Sequence, residues 1–206
     1  PNKNCWRASL NGKNAFYDKS DKYGLSTVAY QFLAGQLAHA REIAGVFAPT
    51  VNSYKRLTPG FEAPAYVSWA RINRSALIRV PKVSKGLEPK ATRLEIRSPD
   101  PSGNPYLTLA VLLKAGLDGV KRRMKAPPPV EENLYEFDDV KLAKLYITKL
   151  PGSLGEAIRE IEKGKIVRET FGEYTFHRYT EAKREEWDSF RRWVTDWEIT
   201  RYLSNI

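Results

Sequence analysis

Apolar residues that recur every three or four positions predict two long helices. The first covers 27–47, between Ser26, a suitable N-cap, and Pro49, which ends it. Its apolar stripe consists of Leu33, Leu37, Ala40, Ala44 and Phe47. The second begins at Pro105 and runs to about Arg123, with proline in its first turn and basic residues in its last turn. We expect this second helix to be the main core helix.

Shorter patterns predict strands. A hairpin with its turn at Asn11-Gly12 is expected within the polar segment 1–25. Residues 76–80 form an apolar run with a single charge, which is typical of a buried strand. Residues 92–97 alternate strictly, so that Leu94 and Ile96 share one face. The opposite face of that strand carries Arg93, Glu95 and Arg97.

The remaining segments are predicted from turn residues, caps and aromatic content. Segment 48–74 contains three prolines without clean periodicity and is predicted to be an ordered loop, whereas 126–129 is a semi-rigid break and 133–136 an exposed loop. Ser153 caps a short helix over 154–163. The C-terminal region 173–206 is predicted to be one helix for core packing or subunit contact, because it carries Tyr179, Trp187, Phe190, Trp197 and Tyr202.

These elements together predict an α+β fold, with an antiparallel sheet flanked by helices. With 206 residues and 42% hydrophobic content, the chain is long enough to bury a core. No apolar run approaches the length of a membrane span, and a single cysteine, Cys5, forms no internal disulfide. We therefore expect a cytoplasmic protein without a membrane partner. His39 is interpreted as a packing or surface side chain, and His177 as a packing side chain.

The net charge of +10 is concentrated in one part of the chain. Segment 55–97 contains ten Lys and Arg against three Glu, which gives it a net charge of +7. Six of these ten cations are Arg, the side chain that binds phosphate or carboxylate through a planar fork. Genome-binding proteins usually spread Lys over a face or along a helix, so these arginines suit a small anionic ligand better, and we expect no nucleic-acid partner. A solvated basic face remains an alternative, as does an edge strand whose charges form cross-strand ion pairs.

Four motifs in order resemble one enzyme family. They are 52–64 (NSYKRLTPGFEAP), 71–81 (RINRSALIRVP), 93–101 (RLEIRSPDP) and 104–107 (NPYL) running into 115–119 (AGLDG). In this respect the chain resembles the C-terminal part of the catalytic domain of type I glutamine synthetase, from Gly12 to about Thr170. Over 1–206 we thus expect a partial catalytic domain, without the N-terminal domain and the first half of the catalytic domain.

The resemblance implies ATP-dependent ligation of ammonia to L-glutamate through γ-glutamyl phosphate, with Mg²⁺ or Mn²⁺. By resemblance, Arg56 and Arg97 bind glutamate, and Glu62 belongs to a flap that accepts a proton from ammonium. Glu62 and Arg97 are then the catalytic residues. The implied ATP-binding residues are Arg74, Arg79, Lys90 and Arg93, and the implied metal ligand is Glu95. A relative that uses another amine is an open alternative.

The sequence also departs from the family pattern. Lys3–Ser9 stands where the family has Met-His-x-His-Gln-Ser, so both histidines are absent. Tyr135 occupies the position of a tyrosine that some bacterial members adenylylate, but Glu136-Phe137 follows it and we do not expect that regulation. One metal ligand cannot form a site that needs about six. We therefore expect the chain alone to be incomplete, within a homo-oligomer. The alternative is an inactive nucleotide-binding or regulatory module that associates with a full-length glutamine synthetase.

Overall fold

The computed structural model describes residues 4–6, 9–10, 12–60 and 63–203. Small sheets and many helices confirm the α+β class. The strands of the described part are β1 (Asn4–Trp6), β2 (Ser9–Leu10), β3 (Lys13–Asn14), β4 (Tyr66–Ala70), β5 (Ala76–Arg79) and β6 (Leu94–Ile96). The helices are α1 (Thr27–Ala38), α2 (Ala40–Phe47), α3 (Ser53–Arg56), α4 (Glu88–Ala91), α5 (Pro105–Lys121), α6 (Asp139–Lys144), α7 (Leu154–Lys163), α8 (Ile166–Phe190) and α9 (Asp196–Tyr202).

The main sheet has the order β1-β6-β5-β4. Strands β1 and β5 both pair antiparallel with β6, whereas β4 pairs parallel with β5. The predicted strands at 76–80 and 92–97 are therefore confirmed, and one pairing differs from the expected antiparallel sheet. In the separate hairpin, Ser9 pairs with Asn14 and Leu10 with Lys13, as the turn at Asn11-Gly12 predicts.

Strand β4 lies inside the segment 48–74 that the sequence predicts to be a loop, and that prediction is wrong. The strand is buried along most of its length, so it lacks the polar alternation that marks a half-exposed strand. A short return over 71–75 connects it to the parallel β5. The Asn73 amide holds this return by donating to the carbonyls of Val130 and Glu132, while its Oδ1 accepts from the Ser75 N–H.

Segment 27–47 forms two helices rather than the single predicted helix. Ser26 caps α1 by accepting from the Ala29 N–H, as predicted. The break falls at His39, whose φ and ψ of −100° and 5° end α1 before α2 begins. Its imidazole ring contacts two carboxylates, with Nε2 2.9 Å from Asp118 Oδ2 and Nδ1 3.6 Å from Glu42 Oε2. His39 is thus a side chain with partners on two helices.

Helices α1 and α5 cross at glycine residues. A Cβ atom at Gly35 would lie 2.2 Å from the Ala115 carbonyl oxygen, and one at Gly119 would lie 2.6 Å from the Gly35 nitrogen. The two backbones therefore meet directly. This contact brings the core cluster together, in which helix residues Leu33, Phe47 and Leu112 pack with sheet residues Leu77, Leu94 and Ile96.

The C-terminal region is not the single helix predicted over 173–206. Helix α8 bends at Gly172 (φ +72°) and ends at Phe190, and α9 starts anew behind the Thr195–Glu198 capping box. Phe176 is buried and Trp187 packs against the core. His177, predicted to pack, is instead exposed beside Glu173, because the neighbouring Phe176 takes the buried position.

Two loop predictions have different outcomes. Residues 126–129 are extended, and the Trp69 indole N–H donates to the Pro127 carbonyl at 2.7 Å. Residues Leu134–Glu136 form a 3₁₀ turn. The exposure predicted for 133–136 is correct for Asn133 and Glu136 and wrong for Leu134, which is fully buried. The helix at 154–163 and its Ser153 cap are confirmed. Among the described residues, no helix combines the length and apolar character needed to cross a membrane.

Replacing Gly35 by Ala should destabilise the protein strongly. The new methyl group meets backbone atoms of α5 that cannot rotate away, so we expect a loss of about 3 kcal/mol in the free energy of unfolding. Urea unfolding followed by circular dichroism measures it. Gly152→Ala is the control, because its Cβ would meet only the Glu156 carboxylate at 3.7 Å. Equal, small losses in both variants would contradict the close helix crossing.

Stability should fall as the pH rises from about 6 to 8. Glu42 and Asp118 raise the pKa of His39 above 6.5, against the effect of burial. A raised pKa in the folded state stabilises the protein below the unfolded pKa, and the gain disappears as the pH passes the folded value. We expect the free energy of unfolding, measured by urea unfolding, to fall by about 1 kcal/mol across this range. His39→Gln should remove most of this slope. A slope unchanged in that variant would assign the dependence to other groups.

Candidate active site

Strand β6 presents the predicted charged face. Leu94 and Ile96 are buried, while Arg93, Glu95 and Arg97 are half-buried on the opposite side. The alternative of an edge strand is wrong, because β6 lies between β1 and β5. Burial of the apolar face therefore fixes the direction of the three charged side chains.

Arg79 and Glu95 form the central ion pair of this face. They are directly opposite each other on β5 and β6, and Arg79 Nη2 lies 2.9 Å from Glu95 Oε2. A cross-strand ion pair is thus present on a central strand. It uses one carboxylate oxygen and leaves the neighbouring arginines without an acidic partner on this strand.

Arg97 brings a second cation to the same place. Its Nη1 donates to the carbonyl oxygen of Arg74, and this hydrogen bond connects the end of β6 to the 71–75 return. Burial lowers the pKa of Arg97, and the positive charge of Arg79 lowers it further, while Glu95 opposes both. Arg74 also repels Arg97, although its own side chain is exposed. The predicted residues Arg74, Arg79, Glu95 and Arg97 are therefore brought together, with an excess of positive charge.

Arg56 reaches the segment that follows β6. Its Nη2 donates to the Ser98 carbonyl at 2.5 Å, and its Nε lies 3.8 Å from Asp100 Oδ2. It therefore borders the end of the charged strand rather than the Arg79–Glu95 pair itself. Glu62, the predicted flap carboxylate, lies outside the described residues.

Lys90 and Arg93 lie toward the β2–β3 hairpin. Arg93 Nη1 donates to the Ala91 carbonyl at 3.2 Å, and the Asn14 amide joins the hairpin to this segment by donating to the Thr92 carbonyl at 2.9 Å. A cleft of 620 Å³ opens between this hairpin and α4. It is lined by Ser9, Gly12, Lys13, Asn14, Tyr17, Pro89 and Lys90.

A second cleft adds cations that the sequence analysis did not single out as site residues. It measures 540 Å³ and its lining includes Arg71, Lys82 and Lys85 together with the acidic Asp18 and Asp21. Lys82 and Lys85 were visible in the sequence only as part of the basic segment 55–97. Lys13, which lines the hairpin cleft, was also not predicted as a site residue. The turn at Gly12 predicts the hairpin, but tertiary contacts decide that the hairpin lies next to Lys90.

The described part of the chain does not form a metal site. It contains no group of three or more His, Cys, Asp or Glu side chains that could hold an ion. Glu95 itself is paired with a cation. A hard divalent ion needs six or more oxygen ligands, so Glu95 could supply one ligand at most.

Comparison with known proteins places these features in a family. The model of the family "Glutamine synthetase, catalytic domain" matches residues 7–202. The chain belongs to this family. Glutamine synthetase of Thermotoga maritima is 51% identical over 191 residues, which are 93% of this chain and 43% of the relative. Glutamine synthetase of Methanocaldococcus jannaschii is 47% identical over 195 residues, 94% of this chain and 42% of the relative.

Solved structures agree with this assignment. The chain is similar to "GmaS/ADP complex-Conformation 1", with a TM-score of 0.78, 31% identity and coverage of 93% of this chain and 43% of that one. It is also similar to "Apo GmaS without ligand", with a TM-score of 0.74, 32% identity and coverage of 92% and 41%. The chain thus spans less than half the length of the glutamine synthetases and solved structures that it matches.

Replacing Glu95 by Gln should lower the free energy of unfolding and make the stability of the protein depend on bound anions. The change leaves Arg79 and Arg97 without the carboxylate between the strands, at a cost of about 1 kcal/mol after solvent screening. Inorganic phosphate at constant ionic strength should restore more of the urea midpoint in the variant than in the parent chain. Glu132→Gln, which breaks the exposed pair with Lys141, is the control and should show neither effect. Equal phosphate responses in all three proteins would contradict an anion site.

Proposed function

We propose that this chain forms the arginine-bearing part of a glutamine synthetase active site. That site ligates ammonia to L-glutamate at the expense of ATP, through γ-glutamyl phosphate. The observation that carries the proposal is the charged face of β6, with Arg93, Glu95 and Arg97 beside Arg79 of β5. Membership of the family supports it.

The chemistry needs cations at this place. Transfer of the γ-phosphoryl group to a carboxylate brings two anions together and spreads negative charge over the phosphoryl oxygens. Fixed positive groups in a partly buried site lower this repulsion without having to reorganise. In our proposal, Arg97 faces the transferred phosphoryl group and the glutamate, since it is held by the Arg74 carbonyl next to Arg79.

Each remaining residue has a role set by its place. Arg56 binds a carboxylate of glutamate near the end of β6, and Glu62 accepts the proton of ammonium. The ATP phosphates contact Arg74 and Arg79, while Lys90 and Arg93 hold the nucleotide toward the hairpin cleft. Ammonia is the proposed nucleophile, and another small amine is the alternative within the same chemistry. Arginine suits the phosphate contacts because its planar fork donates two parallel hydrogen bonds.

Members of the family use a divalent metal ion with ATP, but the described residues do not fit one. Glu95 is paired with Arg79, and the described part of the chain offers no second and third ligand beside it. Glu95 would supply one ligand of a working metal site, and the other ligands must therefore come from residues outside the described part. Consistent with the 43% coverage of the Thermotoga relative, the proposed enzyme is a cytoplasmic oligomer in which other polypeptide completes this site.

A second candidate function is a nucleotide-binding or regulatory module that associates with a full-length glutamine synthetase. The observation in its favour is the exposed apolar surface at the C-terminus, where Trp193 is 74% and Trp197 is 65% exposed. Exposed patches of this kind often mark contacts with other subunits. The module would keep the arginines for ATP and lack turnover.

A chimaera separates the two functions. The part of the Thermotoga maritima enzyme that precedes its matched segment is joined to this chain, and ADP release is measured with glutamate, ammonium and Mg²⁺ together and with each omitted. We expect release that needs all three in the chimaera and none in the chain alone. In the chimaera, Arg97→Lys keeps the charge but loses the fork, and it should lower kcat about 100-fold.

The control substitution is Arg178→Lys, at an exposed residue on α8 that pairs only with Glu181 among the contacts resolved. It should leave kcat unchanged. ATP binding without ADP release by the chimaera would favour the module. An Arg97→Lys variant as active as the Arg178→Lys control would overturn the assigned role of Arg97.

A further inference from the structure

A cavity of 580 Å³ lies between α1 and segment 123–129, which follows α5. It is formed by side chains of three regions, and none of them belongs to the proposed active site. The lining residues that matter here are Tyr23, Tyr30, Gln31, Trp69, Arg123 and Lys125. Pro127, Pro128 and Pro129 close one side with a stiff wall.

The walls of this cavity are fixed aromatic rings. Trp69 is 2% exposed overall, and its indole N–H donates to the Pro127 carbonyl at 2.7 Å. The rings of Tyr23 and Tyr30 meet it edge-on, with centroids at 5.1 and 5.8 Å and interplanar angles of 70° and 72°. The Tyr30 hydroxyl donates to Asp21, so that ring is also held. Fixed flat walls favour a planar ring as ligand.

The rim of the cavity is positively charged. Arg123 and Lys125 line it and are both exposed, and its lining contains no acidic side chain. Asp21 does not line this cavity. Its carboxylate accepts from the Tyr30 hydroxyl and from the N–H groups of Tyr23 and Leu25. An anionic group on the ligand is therefore favoured over a neutral or cationic one.

Arg123 is held at this rim by a strained backbone. Helix α5 ends in a Schellman motif, in which Arg123 N–H donates to the Val120 carbonyl and Met124 N–H to the Gly119 carbonyl. The residue in this position has φ of 52°, a conformation that glycine adopts at no cost and other residues only at about 1 kcal/mol or more. Strain of this kind persists most often at functional positions.

The same strain recurs beside the cavity. Tyr146, which follows α6, is the other non-glycine residue of the described chain with positive φ. It lines a 470 Å³ groove that shares Met124, Lys125 and Pro127 with the cavity. The two described non-glycine residues with this costly conformation therefore line a cavity and a groove that have three lining residues in common.

We propose that this cavity binds a small planar aromatic monoanion, with a bicyclic ring of indole or naphthalene size and one carboxylate. The ring lies against Tyr30, which the nearly buried Trp69 supports from within, and the carboxylate pairs with Arg123 and Lys125. The site is distinct from the proposed ATP and glutamate contacts, and its occupancy does not depend on them.

Isothermal titration of the chain with 2-naphthoate tests the proposal. We expect saturable one-to-one binding, with at least tenfold weaker binding of the neutral 2-naphthalenemethanol and no competition by ATP. Arg123→Gly should weaken 2-naphthoate about tenfold, because it removes one charge-assisted contact. The same variant should melt at a higher temperature than the parent chain, since it relieves the strained backbone. Loss of folding would then not explain the weaker binding.

Two further variants complete the experiment. Lys121→Ala removes a nearby exposed cation of α5 that does not line the cavity, and it should bind as the parent does. Thr27→Trp places a large ring at the cavity surface and should abolish binding while α1 stays folded by circular dichroism. The proposal is overturned if 2-naphthoate fails to bind or is displaced by ATP. It is also overturned if the anion and the alcohol bind equally, or if Arg123→Gly and Thr27→Trp bind as the parent does.

Discussion

The burial of Leu94 and Ile96 is the constraint on which the site depends. These two side chains are 0% and 1% exposed, and they hold β6 in a single register between β1 and β5. A shift of one residue would turn both into the charged face and send Arg93, Glu95 and Arg97 into the core. The cost of burying those charges excludes the alternative. The hydrophobic core thus sets the direction of every charged group on this strand, including the carboxylate that pairs with Arg79.

The helix layer completes the core that buries these two residues. Leu94 and Ile96 belong to one core cluster with Leu33 of α1 and Leu112 of α5, and these two helices cross directly at Gly35 and Gly119. Larger residues at the crossing would separate the helices and loosen the packing of this cluster. A glycine pair distant in sequence from the charged strand therefore bears on the core that fixes the direction of its side chains.

Features of the fold and the site that depend on residues close in sequence could be predicted, and features that depend on distant residues could not. The alternation over 92–97 is a local signal that predicted β6, and the caps Ser26 and Ser153 correctly predicted where α1 and α7 begin. Strand β4 was missed because burial on both faces removes alternation. The break at His39 was missed because the apolar spacing continues across it, while its partner Asp118 is 79 residues away. The pairing of Arg79 with Glu95 required the strand order, which periodicity does not contain. Glu62 lies outside the described residues, so its role stays a prediction.

The charge imbalance of the site connects its stability to its proposed task. Arg97 has Arg74 and Arg79 as cationic neighbours and Glu95 as an acidic one. Burial lowers the pKa of Arg97, and repulsion by the two arginines lowers it further. Repulsion among fixed cations raises the free energy of the empty site and is relieved by bound anions. In the proposed function, a triphosphate and a dicarboxylate therefore gain binding free energy from new contacts and from the repulsion that they remove. By the same argument, we propose that acidic residues face these arginines in the complete site. Since this chain spans less than half of its relatives, we expect those residues to come from the remaining part of the catalytic domain.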